Sequence, residues 1–342
     1  MPDLDPDGAA SFDGIFGLPF TPEESRVLVI PVPWEATCSY RAGTASGPEA
    51  VLRASRQVDL LDRDTGRPYL AKIAMLPIPG ELRSLSDQAR RLALPVIEAG
   101  GVGDHPGLKQ AVVEVEDACG RMNAWVQETV REALETEKLP GVLGGDHSVS
   151  LGAIAAVAKK HPGLGVLHLD AHADLRSAYE GFRFSHASIM RNVMERIPEV
   201  TRLVQLGIRD YCDGEDAFIR DNPERIRTYF DSDLRHLLFE GDTWSRIVGR
   251  VIADLPGEVY VSVDVDGLDP ALCPHTGTPV PGGLSFSETL ALLRALVESG
   301  RRILGFDLTE VAPDPSGQSE WDANVGARLL YKLVGFALLS TR

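Results

Sequence analysis

The sequence predicts an α/β fold, a mainly parallel sheet with helices on both faces. Two observations carry that expectation. Short apolar runs at 140–143, 165–169, 202–206, 259–265 and 302–308 alternate with segments of helical periodicity. Such alternation gives a parallel sheet, whose strands are covered on both faces and therefore read as continuous apolar runs. The 342 residues also contain no fixed-period repeat, no low-complexity tract and no linker-like boundary. Chains of this class often run past about 250 residues as one unit, so residues 25–342 are expected to form a single domain. Residues 1–24 are expected to precede it as an extension.

Taken in order, residues 1–24 are rich in Pro, Gly and Asp, as an arm would be. RVLVIPVPW at 26–34 is a short β-branched run ended by Pro, which fits a buried strand. Gly47-Pro48 opens a helix, because Pro is pre-set for the first turn and Glu49 favours the N-terminal dipole. Over 106–137, Val112, Val113, Val115, Ala118, Trp125, Val126 and Val130 return to one side of a long helix. Further helices are expected at 151–160, 187–196, 244–254 and 285–299, between the strands.

Composition excludes several classes. With 34 Lys+Arg against 50 Asp+Glu, the formal net charge is −16, which argues against nucleic acid or anionic lipid as partner. Hydrophobic content of 44% with 25% charged is that of a folded globular chain. Cys38, Cys119, Cys212 and Cys273 form no CxxC pair, so neither a disulfide framework nor a zinc knuckle is indicated. The N-terminal residues lack a basic stretch followed by an apolar one, and no run reaches about 18 apolar residues. A cytoplasmic protein without membrane partners is expected.

Three segments concentrate chemistry, each at the carboxyl end of an expected strand. GVLGGDHSVS holds Asp146 and His147; LHLDAHADLR places Asp170, His172 and Asp174 at alternate positions; YVSVDVDGLDP gives Asp264 and Asp266, then Asp269. Side chains two apart on an extended strand share a face, so each segment would present convergent ligands. Open α/β sheets bind ligands where their strands end. A lone D-x-D is commonly a solvated loop entry, and GGDHS alone would suit a helix entry with Ser148 as N-cap. Together they bring two imidazoles and four carboxylates to one place. Such a cluster needs divalent cations as compensation. Carboxylate and imidazole donors without thiolate suit Mn2+, and also Ni2+, Fe2+ or Co2+. Six ligands suffice for two ions about 3.5–4 Å apart sharing a hydroxide.

The three segments, in order, resemble those of the ureohydrolase (arginase/agmatinase) family. GPEAVLRAS, CPHTGTPVPGGLSF and GFDLTEVAPD add to the likeness, which spans about residues 26–341. The resemblance implies a three-layer α/β/α fold and hydrolysis of a guanidino compound to urea and an amine. It implies that His147, Asp170, Asp174 and Asp264 hold one ion, and Asp170, His172, Asp264 and Asp266 the other. Asp170 and Asp264 would then bridge. It gives Glu310 the role of guanidinium-binding carboxylate and His186 that of proton shuttle, while Asp174 would also orient the hydroxide. Family members are commonly trimers or hexamers, so a homo-oligomer is expected.

Substrate choice rests on groups beyond the guanidinium, and the nearest loop is RSAYEGFRFSH at 176–186. It lacks the Asn- and Ser-rich pattern of arginases, so arginine is disfavoured. Agmatine is expected first, with Glu180 facing its amine. Arg183 or Arg176 would instead pair a guanidino acid such as 4-guanidinobutyrate or 3-guanidinopropionate, and Tyr179 with Phe182 would close a small pocket on free guanidine. His275 stands where a small residue is more familiar. Two other classes would share such a cluster, a non-catalytic metal-binding subunit and a dinuclear phosphoesterase. The complete ligand set argues against the first, and the acidic motifs against the second.

Overall fold

The computed structural model describes residues 4–341. Eight strands form one sheet: β1 (Val27–Val32), β2 (Ile73–Met75), β3 (Leu139–Gly144), β4 (Leu164–Leu169), β5 (Val200–Ile208), β6 (Ile226–Phe230), β7 (Glu258–Asp264) and β8 (Arg302–Thr309). Their spatial order is β2-β1-β3-β8-β7-β4-β5-β6 and every pairing is parallel. The apolar runs that predicted strands are strands because they are covered twice. β1 and β4, for example, are buried along their whole length.

Two apolar layers sandwich the sheet. One face packs against α1 (Gly47–Ser55), α8 (Trp244–Ala253), α9 (Phe286–Glu298) and α10 (Trp321–Ser340). The other packs against α2 (Gly80–Glu98), α3 (Pro106–Glu135), α4 (Ser150–Lys160) and α5 (Ile189–Arg196). The result is the three-layer α/β/α arrangement. Two shorter helices, α6 (Asp213–Asp221) and α7 (Asp231–Phe239), flank β6. No helix among the described residues is long and apolar enough to cross a membrane.

The N-terminal segment is more than an arm: Ile15, Phe16 and Leu18 are buried in the first apolar layer, where Phe16 meets Tyr331 edge-on. Several elements had no clear signal in the sequence. β2 has three residues, and β6 is an edge strand whose Arg227 and Thr228 interrupt its apolar run. In α10, fourteen of twenty residues are buried, so its apolar positions circle the helix and no amphipathic stripe marks it.

At the end of β3, Gly145 approaches the preceding chain so closely that a Cβ would sit 1.8 Å from the Trp34 carbonyl oxygen. Both partners are backbone and cannot turn aside. Gly145→Ala should therefore lower the unfolding free energy by about 1–3 kcal/mol or more, measured from the urea midpoint. An unchanged midpoint would show that the β3 exit is looser than its packing implies.

Candidate metal centre and its cavity

β3, β8, β7 and β4 are neighbours in the middle of the sheet, and their carboxyl ends carry the candidate residues. His147 follows β3, Glu310 follows β8, Asp264 ends β7 with Asp266 just beyond, and Asp170, His172 and Asp174 follow β4. The chain leaves β3 and re-enters at β4, with β8 and β7 filling the gap later. That order leaves the crevice in which α/β sheets bind ligands.

Strand alternation is not what makes the candidate ligands converge. Of the six, only Asp264 lies within a strand; β4 ends at Leu169 and β7 at Asp264. Beyond those ends, Asp266 sits in a 3-10 turn, and Asp174 takes a left-handed backbone at φ 54°. Glu310 is also left-handed, at φ 62°. Side chains other than Gly rarely adopt this conformation, and it is concentrated where function over-determines the backbone. Ser148 is not the cap at the first segment: Asp146 is, accepting the Ser148 N–H at 3.0 Å.

Two groups of donors share Asp170. His147 Nδ1 lies 3.0 Å from Asp170 Oδ2, 3.1 Å from Asp174 Oδ2 and 3.5 Å from Asp264 Oδ2. His172 Nδ1 lies 3.0 Å from Asp266 Oδ2 and 3.4 Å from Asp170 Oδ1. Behind the first imidazole, His147 Nε2 is 2.9 Å from Ser262 Oγ, whose hydroxyl donates to Asp307 Oδ1 at 2.9 Å. Since that hydroxyl proton is committed to Asp307, the His147 Nε2–H donates to Ser262, so the neutral ring presents its Nδ1 lone pair to the carboxylates. The His147 N–H donates to Glu310 Oε1 at 2.9 Å, which ties the β3 and β8 exits together.

Without a cation the cluster is electrostatically frustrated. Burial, then the Asp170 charge, pushes Asp174 up to about 8. Burial, then Asp266 and Asp170, holds Asp264 well above the usual carboxylate range, and burial with Asp146 does the same to Glu310. Burial opposes charging of His147, but Asp170 and Asp174 raise it well above its ordinary value. Asp170 is the exception: burial is outweighed by His168, His147 and His172, which keep it ionised. Among the described residues no Lys or Arg side chain pairs with Asp170, Asp174, Asp264, Asp266 or Glu310. The donors are imidazole nitrogen and carboxylate oxygen without thiolate, a set that fits divalent ions such as Mn2+ and Ni2+.

Over the cluster lies a cavity of about 230 Å³, lined in part by His172, Asp174, Arg176, Tyr179, His186, Asp210 and Glu215. His186 Nδ1 is buried without a hydrogen-bond partner, and burial, then His172 and His147, pushes its pKa down to about 3. The substrate-loop residues separate. Tyr179 lines the cavity, with the Arg176 guanidinium over its ring at 4.8 Å. Arg183 turns outward, its Nε 3.0 Å from Glu116 Oε2 on α3. Glu180 is not among the lining residues; its Oε2 is buried without a partner. Phe182 is buried in the second apolar layer. His275 is held by Asp322, at 2.8 Å from both its N–H and its Nδ1, so it anchors the loop carrying Thr278 to α10.

His168, Ser262 and Asp307, all wholly buried, belong to the site without being among its expected ligands. A signal existed: each is a single polar residue inside an apolar run that should be buried on both faces.

Fold and cluster together define a class: an α/β/α protein whose central strands end in a His/Asp site able to hold divalent metal. Comparison with known proteins places it further. The chain belongs to the arginase family, whose sequence profile matches residues 25–335. It is similar to an N(1)-aminopropylagmatine ureohydrolase of Synechocystis, 31% identical over 92% of this chain and 89% of that protein. An agmatinase of Bacillus cereus is 31% identical over 85% of each. The solved structure of proclavaminate amidino hydrolase from Streptomyces clavuligerus superposes with a TM-score of 0.71, at 26% identity, over 97% of this chain and 99% of that one. The chain is accordingly a hydrolase of linear amidine C–N bonds, in a family that depends on a binuclear metal site.

Proposed function

We propose that the chain hydrolyses a guanidino compound with a cationic tail, agmatine or an N-alkylated agmatine, to urea and an amine. The observation that carries this reading is the charge of the cavity. Beyond the candidate ligands, Asp210 and Glu215 line it against one guanidinium, Arg176, whose Nε lies 3.6 Å from Glu215 Oε2. A tail ammonium gains from that balance, and a tail carboxylate does not.

In this reading His147, Asp170, Asp174 and Asp264 hold one divalent ion and Asp170, His172, Asp264 and Asp266 the other, with Mn2+ first and Ni2+ second. Bound there, the two ions would lower the pKa of a water between them to near neutrality, supplying a nucleophile. Glu310 receives the guanidinium, its Oε2 left free by the His147 N–H bond to Oε1. Asp174 accepts a hydrogen bond from the attacking water and aims it at the guanidinium carbon. Collapse of the tetrahedral adduct expels an amine, which must gain a proton. Burial disfavours the charged form of His186, so a proton it accepts is readily handed on. Tyr179 closes the cavity wall beside it, at 6.2 Å between ring centroids. The active form is proposed to be a homo-oligomer of single-domain subunits in the cytoplasm.

A second reading is favoured by Arg176 itself, which a guanidino acid would recruit from Glu215; the solved relative named for proclavaminate acts on such an anion by its name. Urea release from metal-loaded protein separates the two. Agmatine and N1-aminopropylagmatine should exceed 4-guanidinobutyrate, 3-guanidinopropionate, arginine and guanidine in kcat/KM by about tenfold or more, as about 1.4 kcal/mol of charge preference implies. Higher activity on the acids would move the assignment to them. No urea from any would remove it.

A further inference from the structure

A row of polar side chains crosses the sheet in register beneath the metal centre. Thr228 on β6 pairs with Gln205 on β5, Gln205 with His168 on β4, His168 with Ser262 on β7, and Ser262 with Asp307 on β8. Four of the five, from Gln205 to Asp307, have no solvent exposure. Buried parallel strands rarely carry such groups without a task for them.

The β4–β6 half of the row has a fixed direction. Thr228 Oγ1 donates to Gln205 Oε1 at 2.9 Å, and Gln205 Nε2 donates to the Ala173 carbonyl at 2.7 Å. These two bonds settle which end of the Gln205 amide is which. The same Nε2 lies 3.1 Å from His168 Nδ1 and must donate to it. With Nδ1 an acceptor, the neutral His168 ring carries its proton on Nε2, 2.8 Å from Asp170 Oδ2. On the other side, the His172 N–H donates to Asp170 Oδ1 at 2.6 Å. With His147 neutral and its Nδ1 an acceptor, each oxygen of Asp170 thus accepts one hydrogen bond, and each keeps a lone pair for the cluster.

We propose that the Thr228–Gln205–His168 chain is a positioning relay. It fixes the His168 tautomer so that His168 donates to Asp170 and pins the carboxylate plane with one lone pair of each oxygen turned to the metal centre. His168 stands close enough to His147, Asp170 and Asp174 to pass for a ligand. The relay assigns it the opposite part: its Nε2 is a donor and binds no ion. This rests on the proposed metal site, with Asp170 shared between two ions.

The test is equilibrium Mn2+ titration of chelator-stripped protein, as wild type, His168→Phe, His168→Gln and Gln205→Leu, with 15N-histidine spectra of the metal-free proteins. His168→Phe should weaken Mn2+ binding by about 10- to 100-fold, the usual cost of losing an outer partner of a ligand. His168→Gln keeps a donor near the same place and should restore affinity to within about threefold. Both variants should still take two ions at saturation. In the spectra, the resonance lost in both His168 variants should have the Nε2–H pattern in wild type and shift toward the Nδ1–H form in Gln205→Leu. Unchanged affinity in His168→Phe overturns the relay. Loss of one ion in His168→Gln does so too, since it makes His168 a ligand. Should His168→Phe not fold, the Gln205→Leu spectrum decides alone. Wild type that binds no metal refutes the proposed site, whereas a wild-type ring in the Nδ1–H form refutes the relay only.

Discussion

Asp170→Asn should cost the protein its metal and its activity together while the fold survives. Asp170 is the residue that both donor groups share, and its two oxygens face different imidazoles. An amide keeps one acceptor and replaces the other with a donor, which would meet either the His172 N–H or the His168 Nε2–H head-on. Neither orientation leaves two ligating oxygens. Metal affinity should fall by more than about 100-fold, beyond what removal of an outer partner costs, and urea release with it. Metal content after dialysis and circular dichroism measure the two halves. A variant with two ions per chain would refute the shared role.

The second large effect concerns pH. In metal-stripped protein, Asp174 is held up to about 8 by burial and Asp170, and Asp146 is raised to about 6, mainly by burial. Asp264 and Glu310 are raised as well, and His147 and His172 lie well above their ordinary value, burial being outweighed by their carboxylates. A carboxyl raised in the folded state loses stability once pH exceeds its unfolded value of about 4, until it passes the folded value. A raised imidazole stabilises fully below about 6.5, and that gain disappears as pH passes its folded value. Both have the same sign between about pH 6.5 and 8. Asp170, with its lowered pKa, and His186, lowered to about 3, act the other way, but in acid. Stripped protein should therefore lose stability from pH 6.5 to 8, by about 1.4 kcal/mol per pH unit for each extra proton the folded chain holds. Saturating Mn2+ should reverse the trend, since ligands bind deprotonated and native-state binding stabilises by mass action. Urea unfolding at pH 6.5 and 8, with chelator and with Mn2+, reads both. Stripped protein that is firmer at pH 8 would contradict the shifts.

What the sequence made legible follows from how each part is stabilised. The central strands were readable because burial on both faces leaves an uninterrupted apolar run, and the ligand segments because acid at the end of such a run has no packing reason. The means of convergence was not readable. Asp174 and Glu310 reach the site through left-handed backbone, which tertiary contacts impose against local preference. Arg183 looked like a substrate contact from its place in the loop, yet Glu116, sixty-seven residues earlier, turns it outward. His168 was hidden for a different reason: its partners Gln205 and Thr228 come from two later strands. Edge elements such as β2 and β6 were faint because they carry little of the core.

The late arrival of β8 between β3 and β7 sets a schedule for biosynthesis. β3 ends at Gly144, yet its neighbour begins at Arg302, with the whole of β4 to β7 made in between. Until then the sheet exists as two separate halves, each with a long apolar edge open to pairing. Loop closure over so many residues is slow, so a nascent chain cannot join His147 to Asp264 or acquire Glu310 until nearly all of it has emerged. At the proposed site, metal capture would thus be a step of the finished polypeptide, and a chain interrupted before residue 302 should aggregate through those edges and hold no complete site.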